Sequence, residues 1–199
     1  MEEKANKELR LHYKQIRDAL TTSQIQDLSQ NISDNLLALL ESDFKGANIF
    51  LCFYPFGSEV NLLPLYKKLL LEGKRLFFPI SYIKSHEIIF HEISDLNNDF
   101  SKGSYDIMEP KDSLPVLDTN LDNIISITPG LIFDNKCNRI GYGAGFYDRF
   151  FARNPQIKRI AVCFDIQMAE SIDRQPYDIP MNYIVTNNGI IKGNEYDTY

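Results

Sequence analysis

A three-layer α/β domain, with a mostly parallel central sheet covered by helices on both faces, is the fold that this sequence predicts. Three observations point to it. Short, nearly continuous apolar runs at 48–54, 75–80, 123–128 and 159–164 read as strands buried on both faces. Segments with helical spacing of their apolar residues lie between them. The stretch 48–80 reads as strand, helix, strand, and such a unit takes a right-handed crossover that favours parallel pairing.

The elements follow in order. Leu9, Tyr13, Ile16 and Leu20 give a first helix one apolar stripe. The cluster Thr21, Thr22 and Ser23 stops it and starts a second, with Ser23 and Gln26 at capping-box spacing. Ile25, Leu28, Ile32, Leu36 and Leu39 carry the second helix to about Ser42, and Gly46 breaks the pattern before the first strand. Residues 55–57 end that strand. Asn61 is placed to cap a helix with Leu62, Leu65, Tyr66 and Leu69 on its inner side, and Gly73 follows as its C′ residue. Strands are expected at 75–80 and 87–93, whereas 97–121, polar and rich in Asp and Pro, is expected to wrap the surface with little regular structure. After the strand at 123–128, Pro129 and Gly130 turn the chain, and 131–138 leads into a glycine-rich loop and a helix stopped by Asn154 and Pro155. The strand at 159–164 is followed by one at 183–186, a turn at 187–189 and Ile190 and Ile191; the tail from Gly193 is expected to fray. There is neither an internal repeat nor a linker, so 1–199 is expected to be one domain, with binding groups in loops outside the carboxyl ends of the strands.

Composition narrows the function. With 44% apolar and 24% charged residues the chain has a folded protein's balance, and a net charge of −6 argues against a general nucleic-acid binder. The basic residues near the N-terminus (Lys4, Lys7, Arg10, Lys14, Arg17) are mixed with Glu2, Glu3, Glu8 and Asp18 and read as a solvated helix face. The first residues are charged, no apolar run is long enough to span a membrane, and three scattered cysteines fit a reducing compartment; a cytoplasmic protein is expected.

The stretch most suited to chemistry is 139–149. Gly141, Gly143 and Gly145 leave a backbone with little side-chain crowding, and a helix with Phe146, Tyr147, Phe150 and Phe151 on one side follows at once. A flexible loop entering a helix N-terminus suits a phosphate, although a plain strand-to-helix turn reads the same way. The loop is neither a Walker A sequence nor a G-x-G-x-x-G dinucleotide fingerprint. Asp148 is a candidate metal ligand, and Arg139 and Arg149 are candidate anion partners. Glu59, Asp134 and Asp178 also fall in expected site loops, each with an ordinary reading beside the functional one: a first-turn acid, a turn cap, and turn chemistry between Pro176 and Pro180. His12, His86 and His91 stand in no catalytic pattern, and no serine lies in a nucleophile elbow. The residues alone support an anion-binding loop beside acids able to hold Mg²⁺.

The glycine stretch and its surroundings resemble the 5-formyltetrahydrofolate cyclo-ligase family. The resemblance rests on Pro129-Gly130-Leu131-Ile132-Phe133-Asp134 followed by 138–149, with Ile140 and Phe146 where the family has Leu and Tyr. Other landmarks stand in order: Leu9-Arg10, the run from Tyr54 to Glu59-Val60, Glu109-Pro110, Gln167, and Asp178-Ile179-Pro180-Met181. The resemblance implies a Rossmann-like fold of the NagB/RpiA/CoA-transferase-like kind and an ATP- and Mg²⁺-dependent closure of 5-formyltetrahydrofolate to 5,10-methenyltetrahydrofolate. It implies that Arg139, Ile140, Gly141, Tyr142, Gly143, Ala144, Gly145, Phe146 and Tyr147 cradle the ATP phosphates, with Arg139 and Tyr147 catalytic. Tyr142 to Phe146 would also touch the folate, with Tyr54, Glu59 and Tyr105; Arg10 and Lys7 would reach the nucleotide, and Asp148 and Asp178 would hold the metal. Asn6, Ala144 and Asn182 depart from the family pattern, where a lysine, a Gly or Lys, and an acid are usual. The expected partners are small molecules, with neither nucleic acid nor membrane among them, and a monomer is expected.

Overall fold

A computed structural model describes residues 2–103 and 107–194. Its centre is a seven-stranded sheet. The strands are β1 (Ile49–Leu51), β2 (Arg75–Tyr82), β3 (Glu87–Ile93), β6 (Ile124–Thr128), β9 (Lys158–Val162), β11 (Tyr183–Thr186) and β12 (Gly189–Lys192), in the order β12-β11-β9-β6-β1-β2-β3. The five inner strands run parallel, and β3 and β12 close the two edges by antiparallel pairing. Strand alternation divides the core. Phe50, Leu76, Phe78, Ile125, Ile127, Ile160 and Val162 face helices α2 (Thr22–Asp43) and α3 (Leu63–Leu71), which contribute Ile32, Leu36, Leu65 and Tyr66. Ile49, Leu51, Phe77, Ile124 and Ala161 face the other way, onto Phe133 and onto α4 (Phe146–Arg153) through Phe151. Burial on both faces is why these strands carry continuous apolar runs. The expected three-layer α/β architecture is therefore present.

Helix α1 (Glu2–Asp18) sits apart from the main sheet. Leu9 and Tyr13 pack against Leu131, Ile132, Ile140 and Ile172. These belong to, or lie beside, a small second sheet of β7 (Ile132–Asp134), β8 (Arg139–Ile140) and β10 (Met168–Ala169). By seating its apolar stripe there, α1 brings its basic side chains to the glycine loop.

Local chemistry departs from expectation in four places. The cap of α2 is Thr21, whose hydroxyl accepts from Gln24 N at 3.2 Å while Gln24 Oε1 accepts from Thr21 N at 2.9 Å, so the capping box is Thr21–Gln24 rather than Ser23–Gln26. Asn61 lies just ahead of the α3 cap residue Leu62 and holds Leu63 N at 3.1 Å. The segment 97–121 contains an antiparallel pair, β4 (Phe100–Lys102) with β5 (Met108–Pro110), where little regular structure was expected. Gly193 does not fray, since its N–H donates to Asn182 O at 2.8 Å; residues 195–199 lie outside the described chain. Gly73 behaves as expected: it has φ +77°, its N–H reaches Leu70 O and Lys74 N reaches Leu69 O, which is a Schellman cap. Among the described residues no helix is long and apolar enough to cross a membrane.

Candidate active site

The glycine loop is presented by the β7–β8 hairpin. Asp134 turns that hairpin: Oδ1 accepts from Lys136 N and Asn138 N, and Oδ2 accepts from Asn138 Nδ2 and Ile172 N, each at 2.9 Å. Its ordinary reading as a turn residue is the correct one. Gln167, 2% exposed, fixes the Pro129–Gly130 turn by donating Nε2 to Gly130 O and Leu131 O at 3.0 Å. Arg139 and the loop that follows thus start from a rigid base.

Residues 141–145 then climb to α4, whose cap residue Gly145 takes φ +66° and offers no side-chain hydrogen bond to the first turn. The first N–H groups of the helix, and the positive end of its dipole, are left for a ligand. Arg139 lies beside them. It is 7% exposed, and its Nη2 donates to both carboxylate oxygens of Asp148, at 3.1 and 3.0 Å. Its guanidinium carbon stands 5.5 Å from the ring centre of Tyr147, a cation–π contact. Its Nε is buried with no partner among the described residues, an orphaned donor at the place where the loop meets the helix. Burial holds the Tyr147 hydroxyl well above its usual pKa range, against the opposing pull of Arg139, so it remains protonated.

Asp148 and Asp178 converge although thirty residues separate them. Asp148 Oδ1 also accepts from Ile179 N at 3.2 Å, tying α4 to the proline-fixed loop. Burial raises the Asp178 carboxyl above its ordinary value and the charge of Asp148 adds to this, while Gln175 N, at 3.0 Å, opposes it. Two acids that repel in a desolvated place suit a divalent cation, which reverses that repulsion. Among the described residues no cluster of three or more His, Cys, Asp or Glu could hold a metal. Asp148 and Asp178 are thus the two residues here that could hold a divalent cation, and Asp148 is already paired with Arg139.

The second half of the site lies at the carboxyl ends of β1, β6 and β9. A narrow cleft there, too tight for a water molecule, is lined by Arg17, Phe53, Glu59, Val60, Pro129, Gly130, Val162 and Gln167. Glu59, 8% exposed, accepts from Phe56 N at 3.0 Å through Oε2, and its Oε1 takes the hydroxyl of Tyr142 from the glycine loop. Tyr142 as a whole is exposed; only its hydroxyl end is sealed against Glu59 and Arg17, and burial there raises its pKa. Arg10 reaches the same loop, donating Nε to Gly141 O at 2.9 Å.

Most residues singled out in the sequence therefore meet. Tyr54 does not line the cleft and stacks edge-on against Phe100 at 5.0 Å. Lys7 is exposed on α1, one turn before Arg10. Tyr105 lies outside the described residues. Arg149, a candidate anion partner, instead donates to the backbone carbonyls of His86 and Ala144. Asn182 serves the fold, its Oδ1 accepting from Arg159 N at 2.8 Å. Arg17 does not lie on a solvated face as its mixed-charge neighbours suggest: it is 3% exposed and bonded to Ser58 and Tyr142. Its spacing of seven from Arg10, two turns along one helix face, was the available signal.

Comparison with known proteins adds a family. The sequence model of the 5-formyltetrahydrofolate cyclo-ligase family matches residues 2–187. A 5-formyltetrahydrofolate cyclo-ligase of Haemophilus influenzae is 26% identical over 186 residues, which are 91% of this chain and 97% of that protein. One of Saccharomyces cerevisiae is 29% identical over 206 residues, covering 92% of this chain and 95% of the relative. The NMR structure of Aquifex aeolicus 5,10-methenyltetrahydrofolate synthetase superposes with a TM-score of 0.79 at 28% identity, over 94% of this chain and 92% of that one.

Proposed function

The chain belongs to the 5-formyltetrahydrofolate cyclo-ligase family, and from that premise we propose how its own residues perform the ATP-dependent closure of 5-formyltetrahydrofolate to 5,10-methenyltetrahydrofolate, with release of ADP and phosphate. The observation that carries this reading is the meeting of two unlike half-sites on one loop. On one side are uncapped helix N–H groups and a buried arginine donor; on the other is a buried carboxylate in a cleft.

The chemical need is a leaving group. N10 attacks the formyl carbon, and the formyl oxygen must then depart, which hydroxide does poorly. Transfer of the γ-phosphoryl group to that oxygen converts it to phosphate, and the C–O bond then breaks. The protein's part is alignment and charge stabilisation. Residues 140–146 and the first turn of α4 hold the phosphates through backbone N–H groups. Arg139 meets the charge on the transferring group with Nε, and the Tyr147 ring keeps the guanidinium in place. Arg10 and Lys7 approach the nucleotide from α1. Asp148 and Asp178 would hold Mg²⁺, which supplies charge neutralisation between phosphate oxygens. Glu59 accepts two hydrogen bonds from the amino-pyrimidine edge of the pterin, and Tyr54 lies along the ring; Tyr105 enters through the family resemblance alone. A cytoplasmic monomer of one domain, 1–199, acting on small molecules completes the reading.

Purified protein given 5-formyltetrahydrofolate, ATP and Mg²⁺ is expected to produce the methenyltetrahydrofolate absorbance, with each omission abolishing the signal. Tight binding of both ligands without product would remove turnover from the account.

A further inference from the structure

Glu59 does not stand alone in the cleft. Arg17 donates Nε to Ser58 Oγ at 3.0 Å and Nη1 to the Tyr142 hydroxyl at 2.9 Å, and Nη1 lies 3.8 Å from Glu59 Oε1, just beyond hydrogen-bond reach. Ser58 donates its own hydroxyl hydrogen bond to Asp18, which Lys14 pairs from the same helix. The Tyr142 hydroxyl is thus a bridge: it accepts from Arg17 and donates to Glu59. Tyr142 as a whole is already 52% exposed, so releasing its hydroxyl uncovers little further surface. The cleft beside Glu59 has no room even for a water molecule, and Tyr142 covers Glu59 Oε1, so Tyr142 has to move before a pterin takes that oxygen.

We propose that Arg17 is a positioning residue of the folate subsite: it keeps Glu59 charged and transfers the Glu59 oxygen from the Tyr142 hydroxyl to the incoming ligand as the glycine loop lifts. The inference rests on the folate reading of this cleft. While Tyr142 is in place, its hydroxyl occupies the oxygen that the pterin edge needs. When Tyr142 leaves, Nη1 closes onto the other lone pair of Oε1 and leaves the one that Tyr142 held to the pterin edge, while Nε stays on Ser58, so the carboxylate keeps its orientation.

The groups facing Glu59 support this. Burial raises its pKa, and Tyr142, Arg17 and Phe56 N, in that order, oppose the rise. Tyr142 and Tyr147 face it from the loop and from α4 as neutral hydroxyls, and Asp18, beyond Ser58, is paired with Lys14. Arg17 is the one cation acting on it among the described residues. Removing Arg17 removes a lowering influence, so Glu59 gains its proton at higher pH. A protonated Glu59 offers an O–H where the pterin edge needs an acceptor, so folate binding weakens as pH falls.

The test is steady-state kinetics across pH at saturating ATP and Mg²⁺, with direct 5-formyltetrahydrofolate binding, for the wild type, Arg17→Met, Arg17→Lys and Tyr142→Phe. Arg17→Met is expected to raise the folate KM roughly tenfold with a much smaller change in kcat, and to move its acid limb to higher pH. Arg17→Lys is expected to restore most of the limb, because charge sets it, but only part of the KM. Tyr142→Phe is expected to bind folate more tightly, since no hydroxyl competes. Unchanged KM and acid limb in the arginine variants overturn the inference while leaving the folate reading intact. Should Arg17→Met fail to fold, Arg17→Lys and Tyr142→Phe with wild-type binding at every pH overturn it equally. A wild type that neither binds nor converts the folate overturns both.

Discussion

Arg139 carries more of the site than any other side chain. It pairs with Asp148, lies over the Tyr147 ring, and keeps a buried Nε turned to no partner among the described residues. Its counter-charge comes from Asp148, with side-chain exposures of 4% and 17% for the two, so the pair is far better shielded than a surface bridge. Asp148→Asn keeps an oxygen for Ile179 N but removes the charge. Turnover at saturating substrates is expected to fall at least about a hundredfold. Stability in urea is expected to fall by about 2 kcal/mol. Wild-type turnover in that variant would contradict a role for Asp148 in the chemistry. The placement of Glu59 and Asp148 was legible because one follows the first strand and the other opens the helix after the glycines. Arg17 was not, because charge along a helix does not tell which side is covered until the packing of α1 is known.

Whole elements repeat the lesson with backbone conformation. The long periodic helices and the doubly buried strands stood where the apolar spacing put them. The β4–β5 pair did not, because its strands are three residues each and gain their burial from tertiary contacts: Phe100 packs edge-on to Tyr54 and Phe78. Choice of cap was also hidden, since Thr21–Gln24 and Ser23–Gln26 share the same spacing and only the entry angle of the chain decides. Gly73 and Gly145 separate backbone strain from function, being left-handed at φ +77° and +66°. A Cβ at Gly73 meets nothing within 4 Å, whereas one at Gly145 comes within 3.1 Å of Arg149 Nη1 where the glycine loop enters α4. Alanine at either position is expected to cost about 1 kcal/mol in equilibrium unfolding. Only Gly145→Ala is expected to raise the ATP KM as well; equal kinetics in the two variants would place the nucleotide elsewhere.

Across the molecule, the parallel sheet gathers the carboxyl ends of β1, β6 and β9 under one loop, and α1 crosses from the small sheet to brace that loop with Arg10 and Arg17. The layer architecture and the side of the sheet bearing the site follow from apolar runs and topology. Strand order and the seat of α1 depend on contacts between distant segments and had no local signature, whereas the β11–β12 edge was announced by its turn at 187–189. The proposed reaction makes one demand of this layout, that the glycine loop and the Glu59 cleft act on the same oxygen. Substrate labelled with ¹⁸O in its formyl group tests this directly, by mass spectrometry of the products after turnover with ATP and Mg²⁺. The account predicts that the label leaves in inorganic phosphate; label recovered in water, with none in phosphate, would contradict it.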